Sequence, residues 1–236
     1  MKVQKHTTLD PELFMIYERL TTDSPIISEV TSRINKPGMK ILDVGGASGI
    51  ILNAIINKSR YKIDATILDM FKVYKQQLVN KQIRYIVGSI LNNKLKAKSY
   101  DFVILRDVLH HLIAGGISEI QKHQEKAIKE MVRLTKKGGY IIFEEEINNS
   151  KLSSRIQYFL SSIANKIHFG SLSFWIGKVI VSFMSKKEIE NVLKKQTGGI
   201  RVVKRRFIKC NFPFLWRSIF LMNKFQRAFY IIQKIS

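Results

Sequence analysis

The sequence contains a single cysteine, Cys210, so it cannot form an internal disulfide, and a reducing cytoplasm is its expected home. It has no uninterrupted apolar run of about 18 residues, which predicts that no helix crosses a membrane. No apolar stretch follows Met1-Lys2-Val3-Gln4-Lys5-His6, which predicts no signal peptide. Internal repeats and low-complexity linkers are missing too. Acidic residues are scarce. There are 18 against 40 lysines and arginines, for a net charge of +22, and none follows Glu190. Residues 151–236 carry 17 of the basic residues and two of the acids. Such a basic half suits an anionic partner: nucleic acid, lipid headgroups or an acidic substrate. Compositional drift toward Lys, Ile and Asn accounts for the lysine count, but less well for the acid-free tail.

What is present is ordinary globular material: 45% hydrophobic and 25% charged residues in a 236-residue chain, enough for one domain with a large core. Asp10-Pro11 and Ser24-Pro25 each set a capping side chain before a proline suited to a first helical turn, which predicts two opening helices. Short Ile- and Val-rich runs follow at Lys40–Val44, Ala65–Leu68, Tyr85–Val87, Phe102–Leu105 and Tyr140–Phe143. Runs of this kind suit parallel strands buried on both faces. Ser48–Lys58 and Ile117–Leu134 have helical periodicity between them. The alternation predicts an α/β, doubly wound, Rossmann-like sheet.

After Glu146 the rhythm changes. Lys151–Ile167 reads as a helix with Leu152, Ile156, Phe159, Leu160 and Ile163 on one side. The apolar run Leu172–Met184 follows, and Ser185-Lys186-Lys187-Glu188 is a capping box opening another helix. Ile200–Phe207 and Phe214–Leu221 read as two strands joined near Asn211-Phe212-Pro213, an antiparallel hairpin that brings the sheet to seven strands.

The first strand runs into Asp43-Val44-Gly45-Gly46-Ala47-Ser48-Gly49. A glycine-rich turn here lets backbone approach a ligand and aims helix N–H groups at it. The dinucleotide fingerprint needs glycine at the third and sixth positions from Gly45, where Ala47 and Ile50 stand, so NAD is not expected. An acid two residues before the first glycine, with another glycine four residues after it, resembles the first motif of the class I S-adenosylmethionine-dependent methyltransferases, although the family usually has glycine at Ala47. Ile67-Leu68-Asp69-Met70 ends the second strand, Val87-Gly88-Ser89-Ile90 the third and Leu105-Arg106-Asp107-Val108-Leu109-His110-His111 the fourth. The last of these is similar to the fourth motif of small-molecule methyltransferases, and the likeness spans residues 39–207.

The resemblance implies S-adenosylmethionine as cofactor, held by Asp43, Gly45, Gly46, Ala47, Gly49, Asp69, Met70, Ser89, Ile90 and Arg106. Asp69 would accept from the ribose diol and Met70 lie against the adenine. The family often places an Asp where Ser89 stands; Ser89 either accepts the adenine bond more weakly or belongs to a plain loop. A sulfonium methyl is already activated, so the resemblance implies catalysis by alignment, with no metal or covalent intermediate. His110 or His111 is the candidate base for a hydroxyl or acidic carbon acceptor, or a packing residue. Glu144 and Glu146 share one side of the fifth strand, where they hold a cation, act as a base or are simply solvated. With no His or Cys cluster beside Glu144-Glu145-Glu146, no metal site is expected.

Several features narrow the acceptor. Arg106-Asp107-Val108-Leu109 lacks the Asn/Asp-Pro-Pro-aromatic pattern of enzymes that methylate nucleobase amines, and Cys210 is too far along the chain to serve as a pyrimidine nucleophile. The expected organisation is helices over the cofactor in 1–38, a methyltransferase domain in 39–221 with an aromatic lid at 147–184 (Phe159, Phe169, Phe174, Trp175, Phe183), and a basic apolar tail in 222–236. The expected function is methyl transfer to a small acceptor, lipophilic or lipid-linked. Rings and cations interleaved in Phe207–Ser236 suit an anionic membrane surface, which would make the enzyme peripheral on the inner membrane face. An RNA methyltransferase, favoured by the charge, and a non-catalytic binding protein of the same fold are the alternatives.

Overall fold

The computed structural model describes residues 24–166, 180–196, 199–212, 217–218 and 221–236. Ser24 caps the first described helix, α1 (Pro25–Thr31), by accepting from the Ile26 N–H, with Pro25 at the first helical position. The helix expected after Asp10 lies outside the described residues, as do Phe169, Phe174 and Trp175.

The strands are β1 (Met39–Val44), β2 (Ile63–Asp69), β3 (Arg84–Val87), β4 (Tyr100–Arg106), β5 (Thr135–Asn148), β6 (Ile200–Lys209) and β7 (Phe225–Lys234). They form one seven-stranded sheet in the order β3-β2-β1-β4-β5-β7-β6. The first five are parallel, whereas β7 runs antiparallel to both β5 and β6. This is the expected doubly wound sheet with its antiparallel C-terminal hairpin.

Helices α1 and α2 (Ile50–Lys58) cover one face, where Ile26, Val30, Leu52 and Ile55 meet Ile41, Ile67 and Phe102. Helices α3 (Ile117–Leu134) and α5 (Lys186–Lys194) cover the other, with Ala127, Met131, Ile189 and Leu193 against Val103, Phe143 and Tyr230. Between α3 and α5 in the chain lies α4 (Lys151–Lys166). Ser185 and Glu188 form the expected capping box of α5. Lys234 donates to the carbonyls of Val132 and Thr135, placing a cation on the carboxyl end of α3.

Three expectations are corrected. The second hairpin strand is Phe225–Lys234, not Phe214–Leu221. Sandwiched between β5 and β6, β7 is buried on both faces through Ala228–Ile232, a continuous apolar run that Gln226 and Arg227 obscure in sequence. It follows that 222–236 is no tail outside the domain. Phe225, Phe229, Tyr230 and Ile231 are core, at most 5% exposed, and are not available to a membrane. Finally, the apolar side of α4 faces outward. Leu152, Phe159 and Ile163 are each more than half exposed.

Candidate functional site

The strand order reverses between β1 and β4, and the carboxyl ends of the strands meet there. Ligands of open α/β sheets bind at such a switch point.

On its β1 side, Gly45 (φ 72°) and Gly49 (φ 84°) adopt the left-handed backbone that glycine tolerates. A Cβ on Gly45 would lie 2.4 Å from Cγ2 of Val108, and one on Gly46 would lie 2.6 Å from Oδ2 of Asp43. Asp43, buried, therefore sits directly beneath the turn. Ala47 holds φ 41°, a strained value for an L-residue, and its methyl joins the core beside α2. Its N–H donates to Oδ2 of Asp69, whose Oδ1 accepts from the Phe71 N–H. Burial raises the Asp69 pKa above the usual carboxylate value, and these backbone donors oppose the rise. Next to it Met70 is 55% exposed, an apolar side chain presented at the strand end. Ser89 uses its hydroxyl to accept from the Leu91 N–H, closing a local turn, and Ile90 is buried in the core.

The glycine requirement is testable without ligand. Gly45→Ala is expected to lose about 1–3 kcal/mol of stability, because Val108 cannot retreat while Glu145 holds its N–H. Adding Val108→Ala should restore part of that loss. Thermal melts of the two variants check this, and a Gly45→Ala protein melting with the parent would refute it.

On the β4–β5 side lies a charge network. Arg227 of β7 donates to Asp107 at 2.7 Å and lies 3.3 Å from Glu144. Arg106 stands 3.5 Å from both carboxylates, and the Ser24 hydroxyl donates to Glu144 at 2.9 Å. Arg106 is thus enclosed by acids at the strand ends. Asp107 itself has φ 52°, a strained backbone at the mouth of the site. On the opposite side of β5, Glu145 accepts from the N–H groups of Val108 and Leu109 and meets Nδ1 of His110. Those bonds pin the single turn Leu109–His111, and Gln124 ties it down further through the Leu109 carbonyl.

Burial alone would push the His110 pKa down, but Glu145 outweighs it and raises the value to about 9. His110 is therefore an imidazolium at neutral pH, with no lone pair to accept a proton. Burial and the neighbouring His110 charge hold His111 well below the usual histidine value, so it is neutral. Glu146 is raised by burial first of all, and no hydrogen bond holds its carboxylate among the described residues.

The expectation of no histidine near the three glutamates is corrected. Asp107, His110 and Glu145 offer ligand atoms within 4.8 Å of one another, since the turn after β4 folds back onto β5. Arg227 and the backbone already engage these donors. Cys210, distant in sequence, also reaches this rim, where its N–H donates to the Phe225 carbonyl. Burial and the Glu146 charge push its thiol up to about 11, which makes it a poor nucleophile.

Sequence reasoning missed Arg227 and the pairing role of Glu145. Arg227 is 120 residues from Asp107, and only the register of β7, which sets Arg227 opposite Glu146, brings it there. Alternation along β5 did predict the shared side of Glu144 and Glu146.

Residues 42–143 match the family model of the methyltransferase domain. No curated protein matches the sequence. Among solved structures, the fold is similar to that of an S-adenosylmethionine-dependent methyltransferase from Methanosarcina mazei (17% identity, TM-score 0.61, 90% of this chain and 98% of that one). It is also similar to geranyl diphosphate C-methyltransferase from Streptomyces coelicolor in complex with Mg2+, geranyl diphosphate and S-adenosyl-L-homocysteine (10% identity, TM-score 0.61, 98% and 87%). A third likeness is to an arsenic(III) S-adenosylmethionine methyltransferase from Chlamydomonas reinhardtii (16% identity, TM-score 0.58, 84% and 64%). Residues 42–143 thus match a methyltransferase domain, and the chain shares the fold of class I S-adenosylmethionine-dependent methyltransferases.

Proposed function

We propose that this protein transfers the methyl group of S-adenosylmethionine to a small lipophilic or lipid-linked acceptor. The observation that carries the reading is the adjacency, at one switch point, of the Asp43 turn with Asp69 and the charged, ring-lined rim of β4 and β5. The residues on the β1 side fit the cofactor. Gly45 and Gly46 admit no side chain, Asp69 has lone pairs left for a diol, and exposed Met70 offers an adenine ring an apolar surface. When bound, the cofactor supplies an electrophilic methyl on a sulfonium.

The protein's own work is placement and proton handling. We assign His111 the proton-accepting role, because it is the neutral histidine. His110 is a positioning residue that fixes the turn through Glu145. Phe183 stacks on His110 at 5.2 Å between ring centroids and packs on Phe225 at 4.9 Å, giving the acceptor rim an aromatic wall. The geranyl diphosphate held by the Streptomyces enzyme is an acceptor of this lipid-like kind. In this reading the residues between β5 and α5 supply the acceptor lid, while α1 packs on a face of the sheet and not over the cofactor.

Asp69→Ala is expected to weaken S-adenosylmethionine binding by about 1.5–3 kcal/mol, the range for hydrogen bonds to a charged group. Calorimetry reads this directly; unchanged affinity, or no heat with the parent, refutes the cofactor assignment. With methyl-labelled cofactor and a cell extract, label should enter the lipid fraction, and His111→Ala should slow that transfer while binding cofactor normally. Label in RNA would instead favour an RNA methyltransferase.

A further inference from the structure

Helix α4 is inverted relative to an ordinary surface helix. Its inner side is polar or small. Ser153, Gln157, Ser161 and Ala164 are all at most 8% exposed, and Ser153 accepts from Asn148 at 2.9 Å and from Gln157 at 3.3 Å. Its outer side is apolar, with Leu152 62% exposed, Phe159 56%, Ile163 55% and Leu160 38%. Leu152, Phe159 and Ile163 are spaced by seven and then four residues, so they form one stripe. Exposed Lys151, Arg155 and Lys166 line one flank of that stripe. No acid occurs in the helix, nor anywhere between Glu146 and Glu188.

From this we infer that α4 lies on an anionic lipid bilayer, its apolar stripe in the headgroup zone and its cations against lipid phosphate. A contiguous exposed apolar stripe calls for a cover. Apolar residues outermost with cations beside them is the arrangement of interfacial helices. A second copy of the chain would bring the same uncompensated cations together and repel. Nucleic acid would be met by outermost cations, not outermost Leu, Phe and Ile. This attachment goes beyond the methyl-transfer reading and stands without it.

The test is sedimentation of the full chain with vesicles of phosphatidylcholine alone or with added phosphatidylglycerol. The parent should sediment only with the anionic vesicles, and less so as salt rises. Phe159→Asp with Ile163→Asp should weaken this by about tenfold or more, as should Lys151→Glu with Arg155→Glu. Phe159→Trp should keep binding, and the indole it introduces should shift its emission to the blue on vesicles. A parent that stays in the supernatant at low salt would overturn the inference. So would an aspartate variant that sediments like the parent, or a Phe159→Trp variant whose emission is blind to vesicles. Self-association that is lost in the aspartate variant would overturn it too, by naming a second copy as the cover. Calorimetry with S-adenosylmethionine on the same preparations reports the cofactor site separately, since these positions lie outside it.

Discussion

Glu145→Gln is expected to cost the fold about 3 kcal/mol near pH 6.5 and much less above about pH 9, because it takes away the counter-ion of a buried imidazolium. The sign follows from linkage. The folded pKa of His110, about 9, lies above the usual histidine value of 6.5, so the folded state binds the proton more tightly. That stabilisation is complete below about pH 6.5 and is lost as pH rises toward 9. In the variant the pair is gone at every pH, and the parent loses its advantage only on the alkaline side. His111 titrates in the opposite sense. Its folded pKa is depressed, so its contribution grows as pH rises toward 6.5, and the comparison belongs above that value. Urea melts of parent and variant at several pH values from neutral upward read the gap. A gap that does not narrow with rising pH would show that the His110–Glu145 pair carries no such charge. Glutamine keeps one oxygen to accept from Val108 and Leu109, so the turn itself should survive.

The second large effect is expected at Arg227. Arg227→Leu should destabilise the protein by about 3 kcal/mol at neutral pH, since Asp107 and Glu144 lose their nearest guanidinium and keep Arg106 at 3.5 Å, the Ser24 hydroxyl on Glu144 and the His110 charge near Asp107. Adding Asp107→Asn should recover part of the stability, because it removes one of the orphaned charges. The measurement is a double-mutant cycle by chemical denaturation at neutral pH. If Arg227→Leu melts like the parent, or if Asp107→Asn adds a further independent loss, the network is not coupled as described. Turnover should fall in Arg227→Leu as well, because Asp107 stands at the mouth of the candidate site in a strained backbone that Arg227 helps to hold. A shortened chain ending before Asn223 is expected not to fold. It would lack β7, leaving β6 unpaired and a double-sided gap beside β5.

How much of this was legible depended on distance along the chain. The Asp43 turn could be read because all its demands are local: a strand end, glycines where the backbone turns left-handed, and a helix start, within seven residues. The caps at Ser24 and Ser185 and the parallel strands could be read for the same reason, since neighbouring side chains and a continuous apolar run state them directly. The β4–β5 side was largely illegible. His110 and Glu145 stood out separately as a histidine pair and an acid run, but nothing in the spacing says that one buries against the other. Arg227 was read as one cation of a basic tail, and only strand pairing across β5 and β7 turns it into the partner of Asp107.

Hydrophobic pattern alone also could not orient two elements. Phe214–Leu221 is more densely apolar than Phe225–Lys234, yet the latter is the buried strand, because its place between β5 and β6 is set by contacts far apart in sequence. The stripe Leu152–Ile163 marks α4 as amphipathic but does not say whether the stripe meets the core or the solvent. The packing of Ser153, Gln157 and Ser161 against the domain decided that. By itself, then, the sequence determined the parallel strands, the Asp43 turn and the caps, whose physics is local. Tertiary structure decided which charges pair and which apolar face is left outward, because burial and Coulomb attraction act through space and not along the chain.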